Sequence, residues 1–281
     1  MAEQYQITVE DVEYASPDGA PLLARLYRPE GAGPFPGVVE VHGGAWTVND
    51  RLTNADIHRP LAESGVVVMA IDFRMPPVAQ YPASIADINL AVRWLKANAA
   101  RLGVDPAKVG LLGTSSGGHQ AMLAAMRPHD PRYTAHALAG GEGVDAGVDA
   151  SVGYVTMCWP VADPLARYRM VVENGNERLR DAHHAYWPDE AAMDEGSPQR
   201  ILERGEDVAT PPALLIVGTA DDNLGPTMAG RFAETYRQAG GTLRFEEFPG
   251  APHAFIGKDP QAEIARRAIR LIVDFVQAQT Q

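Results

Sequence analysis

Leu111-Leu112-Gly113-Thr114-Ser115-Ser116-Gly117-Gly118-His119 decides the reading of this chain, because it joins an apolar strand to a helix through a serine with glycine two residues away on each side. A strand that turns directly into a helix holds the intervening residue at a strained backbone angle, and a hydroxyl placed there stands clear of the sheet. Side chains at the flanking positions would collide, which Gly113 and Gly117 avoid. Ser116 is the competing register, but Thr114 rather than glycine lies two residues before it. Ser115 is therefore the candidate nucleophile.

Working outward, Val38-Val39-Glu40-Val41 is another short apolar strand, and it runs into His42-Gly43-Gly44-Ala45-Trp46. Acyl transfer places negative charge on a carbonyl oxygen, and a backbone N–H aimed at that point stabilises it by about 3 kcal/mol. Glycines let the backbone come that close. The expected donors are the amides of Gly43 and Gly44 with that of Ser116, the residue after the nucleophile. Trp46, beside this loop, is expected either to wall a pocket or to serve as ordinary packing.

A serine hydroxyl is a poor nucleophile until a base takes its proton, and the base needs an acid to orient it. His253 is the candidate base, since it follows the strand-like run Leu243 to Phe248 and precedes the last helical stretch. His119 travels along the nucleophile's own helix and is expected to pack. His129, His136, His183 and His184 fall in polar, loop-rich sequence and are expected at the surface. The acid should follow the apolar run Pro212 to Gly218, where Asp221 and Asp222 compete.

Punctuation and period give the rest of the architecture. Gln6 to Val12 and Leu22 to Tyr27 alternate about the turn Ser16-Pro17-Asp18-Gly19, which predicts an antiparallel hairpin. Val38 to Val41, Val66 to Ile71, Val109 to Leu112, Val152 to Met157, Ala213 to Val217 and Leu243 to Phe248 are runs suited to strands buried on both faces. Ile85, Ile88, Val92, Leu95 and Ala99 mark one helical stripe that stops at Gly103, and Ile264, Ala268, Leu271 and Phe275 mark another. The expected fold class is α/β, a mostly parallel twisted sheet of about eight strands with helices on both faces and a site at the strands' C-terminal ends.

Two stretches depart from this alternation. Residues 129–150 carry Gly140-Gly141-Glu142-Gly143 and are expected to be turn-rich; without a preceding strand, a following helix and a lysine they do not form a phosphate loop. Residues 160–205 hold Tyr168, Met170, Tyr186 and Trp187 among many charges, and are expected to fold as small helices capping the site.

Composition narrows the function classes. Among 281 residues, 24 basic and 36 acidic side chains leave a net charge of −12, which disfavours nucleic acid and anionic membranes as partners. No apolar run approaches the ~20 residues of a membrane span, and Met1-Ala2-Glu3-Gln4-Tyr5 opens no secretion signal, so the cytoplasm is the expected compartment. The single cysteine, Cys158, excludes an internal disulfide and reads as a buried small hydrophobe. No H-E-x-x-H or paired-cysteine spacing exists, so neither metal nor cofactor is implied.

His42 to Trp46, then Ile71-Asp72-Phe73-Arg74, Tyr81-Pro82-Ala83 and Asp87, then Gly113 to His119, resemble the α/β-hydrolase superfamily over roughly residues 20–278. Within it the chain is similar to the branch of hormone-sensitive-lipase-like esterases, feruloyl-esterase-like enzymes and kynurenine formamidases. The resemblance implies a single hydrolase domain over 1–281 and a serine hydrolase acting on small or medium carboxylic esters, with a small-molecule ester as partner. Its G-x-x-D spacing from Gly218 selects Asp221 as the acid and leaves Asp222 to cap a helix near Pro226. The family elbow commonly has Asp or His before the serine and Ala after it, where this chain has Thr114 and Ser116. Asp50 with the His42 to Trp46 loop also resembles formamidases, so an amide or formamide bond stays open, as do a non-catalytic binding protein on the same scaffold and homo-oligomerisation.

Overall fold

Apolar β-branched runs alternate with amphipathic stretches along the chain, and the computed structural model, which describes residues 4–138 and 147–281, turns that alternation into strands and helices. The Gly140 to Gly143 run lies outside the described residues. The hairpin forms from β1 (Ile7–Ala15) and β2 (Leu22–Pro29), followed by β3 (Phe35–Val41), α1 (Ala55–Glu63) and β4 (Val67–Ile71). Next come α2 (Ala83–Ala97), α3 (Ala99–Leu102), β5 (Val104–Thr114), α4 (Ser116–Met126) and β6 (Val155–Cys158). Four short helices, α5 (Pro164–Glu173), α6 (Glu177–Tyr186), α7 (Glu190–Glu195) and α8 (Pro198–Glu203), precede β7 (Ala213–Gly218). The chain closes with α9 (Met228–Gln238), β8 (Leu243–Phe248), α10 (Phe255–Lys258) and α11 (Glu263–Gln279).

The eight strands form one sheet in the order β1-β2-β4-β3-β5-β6-β7-β8. β2 pairs antiparallel with β1 and β4, and every other neighbouring pair is parallel. Every residue of β4, β6 and β7 is buried, as a parallel sheet covered on both faces requires. Register aligns the strand ends: Val41 lies beside Gly113, Gly113 beside Met157, and Gly218 beside Phe248. The loops that follow β3, β5, β6, β7 and β8 therefore share one rim of the sheet.

Two helices differ from their expected form. The stripe read from Ile85 to Ala99 is buried throughout, but the helix breaks at Asn98, and the short α3 carries the chain to Gly103 in the left-handed conformation, φ 70°. In α11 the buried face is Ala265, Ala268, Ile269, Ile272, Phe275 and Val276. Ile264 and Leu271 are only half buried, because the helix is rotated by about one residue from the stripe its bulkiest side chains suggest. The polar-looking 160–205 stretch carries its own start signals: Asp163, Asn176, Asp189 and Ser197 each accept a hydrogen bond from the backbone N–H three residues on.

Candidate active site

β5 ends at Thr114 and α4 begins at Ser116, so Ser115 alone makes the turn, at φ 52° and ψ −118°. That backbone is unfavourable for any residue with a Cβ, and crowding fixes it in place. A Cβ at Gly113 would lie 2.2 Å from the Gly117 carbonyl oxygen, and one at Gly117 would lie 2.1 Å from that of Val41. Both glycines are therefore required where the sequence has them.

The turn brings Ser115 Oγ to 3.0 Å from His253 Nε2. On the far side of the ring, His253 Nδ1 is 2.7 Å from Asp221 Oδ2. The Asp221 carboxylate is nearly buried, and its Oδ1 accepts the N–H groups of Asn223 and Leu224, which fixes its orientation. Asp222 is exposed and caps nothing: α9 starts at Met228 behind Thr227, with no side-chain cap. The short loop from Gly218 spends its one inward carboxylate at position 221.

The chain around His42 to Trp46 lies directly against this turn. Gly43 N–H donates to Thr114 Oγ1 at 3.0 Å, and Trp46 N–H donates to Ser116 Oγ at 3.1 Å. Thr114 and Ser116, the two residues at which the elbow departs from its common form, thus fasten it to the neighbouring loop. Thr114 Oγ1 also accepts from Asn54 Nδ2, which in turn donates to the buried Glu40, itself 2.9 Å from His58. Gly44, Ala45 and Trp46 all have positive φ, and the N–H groups of Gly44 and Ala45 have no hydrogen-bond partner among the described residues. Their neighbour Gly43 is already engaged, which differs from the expectation for that amide.

A cavity of about 460 Å3 opens over Ser115 and His253. Gly43, Gly44 and Ala45 form one side; Trp159, which follows β6, and Arg167, Arg178 and Leu179 of α5 and α6 form another. Trp46 is not among the lining residues and packs beneath the loop instead. It is 1% exposed, stacks on Tyr186 at 5.4 Å and donates Nε1 to His119 Nδ1 at 3.1 Å. The aromatic wall is Trp159, whose ring meets His253 edge-on at 6.2 Å. Its position after a core strand end, like those of Ser115, Asp221 and His253, was the available sequence signal.

The other histidines divide. His129 and His184 are exposed, while His136 is half buried and accepts from Arg74. His183, expected at the surface in a loop, is instead fully buried on α6, edge-on to Trp46 at 4.9 Å, because the helical period turns it inward while His184 faces out. His119 is buried as well, with Nε2 on the Gly196 carbonyl, and burial pulls its pKa down to about 4.

The folded value for His119 lies below the ordinary 6.5, so the unfolded chain binds that proton more tightly between the two. Its contribution to stability is complete above pH 6.5 and is lost as pH falls toward 4, on the order of 3 kcal/mol. The thermal midpoint is expected to drop over that window, and less steeply in His119→Gln. Parallel pH curves for the two proteins would contradict it.

Asp50 is exposed and spends its carboxylate on the Leu52 N–H, away from the cavity. Among the described residues, no cluster of three or more His, Cys, Asp or Glu is arranged to hold a metal, and no helix is long and apolar enough to cross a membrane.

Esterase LipC of Mycobacterium tuberculosis is 32% identical over 228 residues, 79% of this chain and 53% of that protein. Ethyl acetate hydrolase of Pseudomonas putida is 26% identical over 278 residues, 96% of this chain and 82% of that protein. A solved esterase of Pyrobaculum calidifontis superposes with a TM-score of 0.78 at 25% identity, covering 99% of this chain and 87% of its own. The chain spans little more than half the length of LipC and of two further mycobacterial relatives it matches. Residues 25–234 match the BD-FAE family. The chain therefore belongs to the BD-FAE family, within the esterase branch of the α/β-hydrolase superfamily.

Proposed function

We propose that this chain is a serine carboxylesterase whose catalytic groups are Ser115, His253 and Asp221. The observation that carries this reading is the continuous hydrogen-bond chain from Ser115 Oγ through the His253 ring to Asp221, open at its serine end to a cavity. His253 Nε2 takes the Ser115 proton as Oγ bonds to the ester carbonyl carbon. Asp221 holds the Nδ1–H tautomer and stabilises the imidazolium. The alcohol leaves with the proton from His253; water then adds by the same route and the acid is released, restoring Ser115.

The oxyanion is received by the amides of Gly44 and Ser116, joined by Ala45. Gly43 acts one step back, since its N–H is held by Thr114 Oγ1 and so sets the loop's distance from the serine. Thr114→Val keeps the shape of the side chain but strands that donor. It is expected to lower kcat by about tenfold with little change in KM, while Thr114→Ser keeps near-normal kcat. Equal losses in both variants would refute this role.

Helices α5 and α6 serve as the cap over the site, with Leu179 and Trp159 as its apolar contacts. The cavity's modest size, together with the relative named for ethyl acetate, supports small esters. In a panel of p-nitrophenyl esters, kcat/KM is expected to peak at acyl chains of two to six carbons. Faster cleavage of long chains would overturn the preference. Absence of both turnover and fluorophosphonate labelling would overturn the reading itself.

A further inference from the structure

Arg167, on α5, lines the same cavity as Ser115 and His253, yet its side chain is only 1% exposed. Among the described residues its side chain has neither an ion pair nor a hydrogen bond, and its Nε and Nη1 are buried without a partner. Its charged group rests on the Trp46 ring at 5.4 Å, which fixes its position without satisfying its donors. Other arginines tucked into this fold are paired, as Arg74 is with the buried Asp87. Taking a guanidinium out of water is costly unless an anion accepts its N–H groups.

The surroundings favour an anion from outside the chain. Charged residues lining the cavity are Arg167, with Arg178 and Lys258 exposed toward solvent, against the single carboxylate of Asp56. This local excess stands in a protein of net charge −12. Asp221 attracts Arg167 electrostatically, but its two oxygens are taken by His253, Asn223 and Leu224. Burial, and then the charge of Arg178, pull the Arg167 pKa down to about 10, so it remains a cation at neutral pH.

We infer that the preferred substrate is an ester that also carries a carboxylate, gripped by the Arg167 guanidinium while Ser115 attacks the ester carbonyl. A guanidinium N–H donates to a carboxylate as a charge-assisted hydrogen bond, and Nη2, the one guanidinium nitrogen that is not fully buried, is the donor within reach of the cavity. The carboxylate belongs either to the acyl half, in a monoester of a dicarboxylic acid, or to the alcohol half, in an acylated hydroxy acid. This rests on Ser115 being the nucleophile.

Two matched pairs followed by pH-stat titration test it: monomethyl succinate against methyl butyrate, and O-acetyl-3-hydroxypropionate against propyl acetate. The wild type is expected to favour the anionic member by kcat/KM, by about tenfold or more, in one pair, which identifies the half carrying the carboxylate. In Arg167→Met that anionic-to-neutral ratio is expected to fall by about 10- to 100-fold, and Arg167→Lys to recover part of it. Should Arg167→Met not fold, succinate is expected to inhibit the wild type competitively and its uncharged diamide to inhibit far less. Preference for the neutral ester in both pairs, an unchanged ratio in Arg167→Met, or equal inhibition by acid and diamide would each overturn the inference. If methyl butyrate is still cleaved by the wild type and not by Ser115→Ala, the esterase reading survives that failure. If none of the four esters is cleaved and fluorophosphonate does not label Ser115, both fall.

Discussion

Ser115→Ala is expected to lower kcat on a short-chain ester by about a million-fold, the scale seen when the nucleophile of a serine hydrolase is removed. Without Oγ there is no acyl-enzyme, and what remains is water attacking a bound ester, aided by the amides of Gly44, Ala45 and Ser116. Labelling by a fluorophosphonate is expected to vanish in the same variant, since Ser116 is buried and its Oγ accepts the Trp46 N–H. Retention of labelling would place the nucleophile elsewhere. Stability offers a separate readout of the same position. At φ 52° and ψ −118° any Cβ is strained, so Ser115→Gly is expected to be more stable than Ser115→Ala by about 1 kcal/mol while equally inactive. Matching thermal midpoints would show that the elbow stores no strain.

Asp221→Asn is expected to cost about ten-thousand-fold in kcat at neutral pH with a modest effect on KM. The carboxylate accepts the His253 Nδ1–H at 2.7 Å and so leaves Nε2 free to take the Ser115 proton. An amide donates in that direction instead, stabilising the tautomer with its proton on Nε2, which cannot act as base. Asp222→Asn, one residue on and exposed, is expected to change kcat by no more than about twofold. The reverse ranking would move the acid to position 222. Because the groups act as one unit, Ser115→Ala combined with Asp221→Asn should be no slower than Ser115→Ala alone.

Short apolar runs bounded by turn residues were enough to locate β3 to β8, since a strand covered on both faces needs little besides apolar side chains and an end, while alternation about a turn located β1 and β2. Helix faces were less legible. Bulky residues in α11 suggested a stripe one position away from the buried one, because small residues such as Ala265 are also buried and carry little weight in a hydrophobic pattern. His183 and Trp46 show the same limit. A charged, polar stretch gave no hint that one of two adjacent histidines turns inward onto a tryptophan from 137 residues earlier.

Sequence by itself determined the order of strands and helices, the serine turn with its two obligatory glycines, and the rim along which Ser115, Asp221 and His253 must lie. These follow from local sterics and from spacing between punctuated runs, both of which are written in consecutive residues. Tertiary structure alone decided that Gly43 is held by Thr114, that Trp159 rather than Trp46 walls the cavity, and that Arg167 faces it unpaired. Each depends on which distant backbone or ring arrives at a given point, and a hydrogen bond or a missing counter-charge across such a gap leaves no periodic trace along the chain.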